Sequence, residues 1–188
     1  MLNTPFSPWP SFTEEEVAVV KRVLLSNRVN YWTGEECRAF EKEFAAWTSA
    51  KYAVAVANGT VALDAALWAL GIGPGDEVVV PKPYFVEYGS YISNHGGRMV
   101  LVPSTADFNL DVDAIARSLT EKTAAVIINS PHNPTGRIYP ARTIQELAKA
   151  LRQHGEKTGR YPYLIADEPY REIVYENRQV PPVLSVYE

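Results

Sequence analysis

From Tyr52 onward, short apolar runs alternate with stretches of helical periodicity, and few folds accommodate that alternation. The strand-like runs are Ala53–Ala57, Glu77–Val80, Arg98–Val102, Ala124–Asn129 and Tyr163–Asp167. The helical stretches between them are Thr60–Leu70, Phe85–Ser93, Val112–Leu119 and Thr143–His154. Near-continuous apolar strands are buried on both faces, and strands joined through helices pair in parallel. The expected fold is therefore α/β, a mainly parallel sheet with helices on both faces, and its ligands should sit at the carboxyl ends of the strands. Ahead of it, Thr13-Glu14-Glu15-Glu16 has capping-box spacing before Val17, Val20, Val23 and Leu24. Thr33 to Glu36 repeats the device before Phe40, Phe44 and Trp47. Residues 1–50 thus read as an N-terminal segment of two amphipathic helices, and residues 51–188 as the ligand-binding domain.

A covered sheet needs apolar mass, and 188 residues with 46% hydrophobic and 21% charged content supply it. A net charge of -4 and a pI near 5.5 give no basic stripe, so nucleic acid is not an expected partner. Cys37 stands alone, which excludes an internal disulfide. No apolar run reaches the roughly 20 residues of a membrane helix, and the first ten residues lack the basic and apolar regions of a secretory signal. The expectation is a cytoplasmic protein with no membrane partner.

Several strand ends carry residues suited to chemistry. Asn58-Gly59-Thr60 leaves a strand and opens a helix, where a bare backbone and free amides favour an anion such as phosphate. Taken alone, the same triplet also reads as an ordinary capped turn. Neither G-x-G-x-x-G after a strand nor G-x-x-x-x-G-K-[ST] occurs, so the two common nucleotide motifs are missing. Asp167 ends an apolar strand and Tyr170 follows past Pro169. A metal beside a nucleotide would need the missing phosphate loop, and no metal ligand is assigned. A carboxylate can instead pair with a protonated ring nitrogen while a nearby phenol bonds an oxygen on the same ring. Asn129 to Gly136 is a turn with prolines at 131 and 134, which restrict the residues before them and hold Asn133. By itself that too is an ordinary turn. Phe85, after Tyr84, could cover a flat ring, although such aromatics more often belong to the core.

Taken in this order, the pieces resemble fold-type-I pyridoxal-phosphate aminotransferases. From Pro83 on, PYFVEYGSY, DFNLDVDAI, AVIINSPHNPTG and LIADEPYREIVYE resemble the class I/II amino-acid enzymes. Before Pro81, GEECRAFEKEFAAW and AVAVANGTVALDAALWALGIGPGDEVVVP resemble the DegT-type nucleotide-sugar aminotransferases, so the two likenesses meet near Lys82. The resemblance implies that residues 51–188 are the large domain that binds pyridoxal 5'-phosphate, incomplete at its C-terminal end. It also implies that Asp167 pairs with the ring nitrogen, that Tyr170 and Asn133 bond the phenolic oxygen, that Phe85 stacks on the ring, and that Gly59 and Thr60 hold the phosphate. The family's Schiff-base lysine lies beyond Glu188 by that likeness, so no catalytic residue is assigned and this stretch is expected not to turn over. Lys82 reads as a solvated surface residue.

The function implied is amino-group transfer between an amino acid and a keto acid by a homodimer. Two alternatives accompany it: transfer to a nucleotide sugar, and a non-catalytic protein that keeps the sheet.

Overall fold

Thr13 starts the first helix as its spacing predicts. Its hydroxyl accepts from the Glu16 N–H at 3.2 Å, and the Glu16 carboxylate accepts from the Thr13 N–H at 2.6 Å. The computed structural model of the chain describes residues 10–176 and 178–186 and divides it into two units, Met1–Ala55 and Val56–Glu188.

The first unit holds α1 (Glu14–Leu25) and α2 (Glu36–Thr48). The second capping box is not formed. Asn30 takes Thr33 instead, its side-chain oxygen accepting from the Trp32 and Thr33 N–H groups and from the Thr33 hydroxyl. An Asx turn of this kind competes with a cap for the same donors, and α2 begins behind Glu35 with no side-chain cap. Phe40, Phe44 and Trp47 form a row along α2, with neighbouring ring centroids 5.7 and 5.6 Å apart.

The second unit contains α3 (Gly59–Ala69), β1 (Glu77–Lys82), α4 (Tyr88–Asn94), β2 (Arg98–Pro103) and α5 (Val112–Ser118), followed by β3 (Thr123–Asn129), α6 (Ala141–Thr158), β4 (Tyr163–Asp167) and α7 (Val183–Val186). The strands form one parallel sheet in the order β2-β1-β3-β4. Residues 53–57 are not among them. An apolar run becomes a strand only where a neighbour takes its backbone groups; this one has no ladder partner among the described residues, and Val54 is exposed. Helix α4 starts three residues later than expected, because Phe85–Glu87 form a turn closed by the Tyr88 N–H on the Phe85 carbonyl. Helix α6 is longer than expected, running from Pro140 to a left-handed Gly159.

The two faces of the sheet follow the two-residue period of its strands. Val79, Val126 and Ile128 pack with Ile115 of α5 and Ile144, Leu147 and Leu151 of α6. Val78, Val80, Ala125 and Ile127 pack with Leu67 of α3 and Tyr88, Tyr91 and Ile92 of α4. The sheet is thus covered on both sides, and β1, β3 and β4 deliver their carboxyl ends to a common edge. At the opposite edge the buried Glu77 carboxylate accepts from Thr120 at 2.7 Å and from Arg98, which hold it below its ordinary pKa. In α6 the Tyr161 ring lies over Gly155, where a Cβ would overlap the ring carbons.

Candidate cofactor site

Between β2 and β3 the chain crosses from one side of β1 to the other, and crevices at the strand ends open where strand order reverses in this way. A cavity of about 250 Å³ lies there, and Gly59, Thr60, Phe85, Asn133, Asp167 and Tyr170 all line it. The structure therefore brings together every residue that the sequence nominated, from positions more than a hundred residues apart.

Each wall has a local cause. Asn58 caps α3 by accepting from the Val61 N–H at 3.0 Å, so the helix begins at the cavity, where the amides of its first residues lack intrahelical acceptors. A Cβ at Gly59 would meet no protein atom within 4 Å, so its bare backbone serves the cavity and not the packing. Phe85 sits in the turn before α4, its ring 5.6 Å from that of Tyr88 and nearly perpendicular to it. Asp167 ends β4 in register with Asn129 of β3.

Reading the sequence missed Asn129 and Tyr88. Asn129 is buried; its side-chain NH₂ donates to the Asp167 carbonyl at 2.8 Å and its oxygen accepts from the Asn133 N–H at 2.6 Å. It thereby clasps the ends of two strands and sets the start of the proline turn. The Tyr88 hydroxyl donates to the Asp167 carboxylate at 2.5 Å. A buried strand ending in Asn, and a tyrosine three residues beyond the aromatic at 85, were the available signals; neither residue type is diagnostic alone.

The electrostatics follow from this packing. Burial raises the Asp167 carboxyl above its ordinary pKa, and the Tyr88 hydroxyl partly offsets that. The Tyr88 phenol is driven far above the usual tyrosine range, by burial first and then by Asp167, so it stays a donor. The Asn133 NH₂ donates to the Tyr170 oxygen at 3.1 Å, leaving the Tyr170 proton free to turn towards an oxygen in the cavity. Lys82 is exposed, and no lysine among the described residues lines the cavity. A larger space of about 580 Å³ lies between the proline turn and residues 173–176 and Arg178, sharing Asn133 and Tyr170 but lined by none of Gly59, Thr60 and Phe85.

A half-buried carboxylate, an aromatic face, a phenol paired with an amide, and helix amides behind a glycine fit a flat cationic heteroaromatic ring bearing an oxygen and a phosphate. The chain belongs to the aminotransferase class I and II family, whose model matches residues 13–187 and so spans both stretches of the resemblance. The cofactor of that family is pyridoxal phosphate. Among its relatives is a probable aspartate/prephenate aminotransferase of Thermus aquaticus, 37% identical over 113 residues, which are 59% of this chain and 28% of the relative. An aspartate aminotransferase of Thermus thermophilus superposes with a TM-score of 0.78 at 28% identity, over 95% of this chain and 50% of that one. An aminotransferase of Psychrobacter cryohalolentis is 41% identical with a TM-score of 0.71, over 94% of this chain and 42% of that one. This chain spans half or less of the length of each. No helix among the described residues is long and apolar enough to cross a membrane.

Proposed function

We propose that this chain supplies the cofactor half of an enzyme that moves an amino group between an amino acid and a keto acid. The convergence of six residues on one cavity at the carboxyl edge of the sheet carries the reading. Asp167 would face the ring nitrogen and hold a proton on it; Asn133 and Tyr170 would fix the phenolic oxygen; Phe85 would cover one face of the ring. Gly59 and Thr60 would hold the phosphate. Bound there, pyridoxal phosphate supplies the carbonyl that takes up the amino group and the ring that withdraws electrons. These residues bind and orient, and with no lysine among the described residues on the cavity wall they hold the cofactor reversibly.

Titration of the chain with pyridoxal phosphate tests this. Saturable binding is expected, with Asp167→Ala weakening it by roughly tenfold to a hundredfold through loss of a charge-assisted contact. Binding unaffected by that change, or a stoichiometric pyridoxyl label on one lysine after borohydride reduction, would overturn it. The same reading includes a cytoplasmic location and a homodimer, and exposed Val17, Val20, Leu24, Phe40, Trp47 and Trp68 support the association. Light scattering should give at least twice the chain mass of 20.9 kDa, and a clean monomer would refute it.

A further inference from the structure

The cavity has a second acid beside Asp167, and it belongs to none of the roles given above. Glu87 lines the same wall as Thr60, one turn of chain before the nearly buried Tyr91. The Tyr91 hydroxyl makes a short hydrogen bond to the Glu87 carboxylate and lies 3.1 Å from the Thr60 hydroxyl.

Proton counting orients this chain of contacts. A carboxylate only accepts, so Tyr91 donates to Glu87; a phenol has one proton, so Tyr91 must accept from Thr60. The effects on Tyr91 agree with those directions, since Glu87 raises its pKa and the contact with Thr60 lowers it. Thr60 has one proton as well, and it is turned inward. Thr60 then shows the cavity only lone pairs, beside helix amides suited to an anion. The Val61 N–H is already taken by Asn58, so the hydroxyl at position 60 is a donor that a phosphate would use if it were turned round.

The geometry points to Glu87 and Tyr91 as positioning residues that set the direction of the Thr60 hydroxyl and so limit the grip of this site on a phosphate. The inference rests on the reading of the α3 N-terminus as the phosphate cradle. Replacing Glu87 with Gln puts in place of an obligate acceptor an amide that can either accept from Tyr91 or donate to it. The Tyr91 proton can then pass to Thr60 and the Thr60 proton to the phosphate. The substitution also removes a negative charge, and the test must separate the two effects.

Pyridoxine 5'-phosphate and pyridoxine are suitable probes for calorimetry, because neither has an aldehyde to react with surface lysines. Glu87→Gln should bind the phosphorylated probe about tenfold more tightly, the scale of one charge-assisted hydrogen bond, and bind pyridoxine unchanged. In a Thr60→Val background the same substitution should give little gain, since there is no hydroxyl to turn. Equal changes for both probes, no change, or a gain that persists in the Thr60→Val background would each overturn the inference, the last by assigning the effect to charge alone. If the unsubstituted chain binds the two probes equally, the phosphate cradle itself is refuted, and this inference falls with it. Glu87 is exposed, and a far-UV circular dichroism spectrum matching the parent checks that the variants fold.

Discussion

Asp167 occupies a position that favours its neutral form, while the role proposed for it needs the charge. Burial raises its pKa in the folded chain, so the contribution of this group to stability is present below the unfolded value near 3.9 and is lost as pH rises through the folded value. At neutral pH the folded state carries the full penalty. Asp167→Asn, which can still accept from Tyr88, should therefore raise the melting temperature at pH 7 by a few degrees, with the gain shrinking below about pH 4. The same variant should bind pyridoxal phosphate more weakly, the usual opposition between stability and function at a site. Thermal melts at both pH values decide it; a lower melting temperature at pH 7 would show that the carboxylate stabilises the fold.

Helix α6 sets two effects against each other at Gly155. Alanine favours a helix interior over glycine by about 1 kcal/mol, but its Cβ would enter the Tyr161 ring. Tyr161 is exposed, so its ring can swing aside at the cost of its contact with the helix, and Gly155→Ala should destabilise the chain by no more than about 1 kcal/mol. In a Tyr161→Ala background the clash is gone, and Gly155→Ala should then stabilise; denaturant unfolding of the four chains measures both signs. Nothing in the sequence announces this contact, and the same limit applies elsewhere. The strands β1, β2, β3 and β4 were legible because apolar runs between helical stretches record burial on both faces. Ala53–Ala57 has the same pattern but no ladder partner among the described residues, and pattern reports appetite for burial without naming the neighbour. Thr33 had capping spacing, yet Asn30, three residues earlier, competed for it. In the site, Asp167, Tyr170, Asn133, Phe85, Gly59 and Thr60 stood at strand ends or in short motifs. Tyr88, Asn129 and Glu87 act through contacts across 79, 38 and 31 positions in the chain, directly or through Tyr91, and such pairings exist only after folding.

At the scale of the whole molecule, the sheet and the cavity are one object seen from two directions. Among the described strands β4 lies at the end of the order and is bonded on one side only, to β3. Its last residue is Asp167, clasped to β3 by Asn129. A strand at an edge opens more readily than one inside a sheet, so a ligand that engages Asp167 on β4 and Thr60 on α3 together is also a brace across that edge. Amide exchange makes the brace visible. Adding pyridoxal phosphate should slow exchange at Leu164, Ile165 and Ala166 while leaving the amides of Leu147 and Leu151 in α6 unchanged, and Asp167→Ala should abolish the slowing. Uniform slowing across the sheet and α6 would instead mark global stabilisation. Occupancy and fraying are then a single equilibrium, and the half-life of a proton on the edge strand becomes a gauge of whether the site is filled.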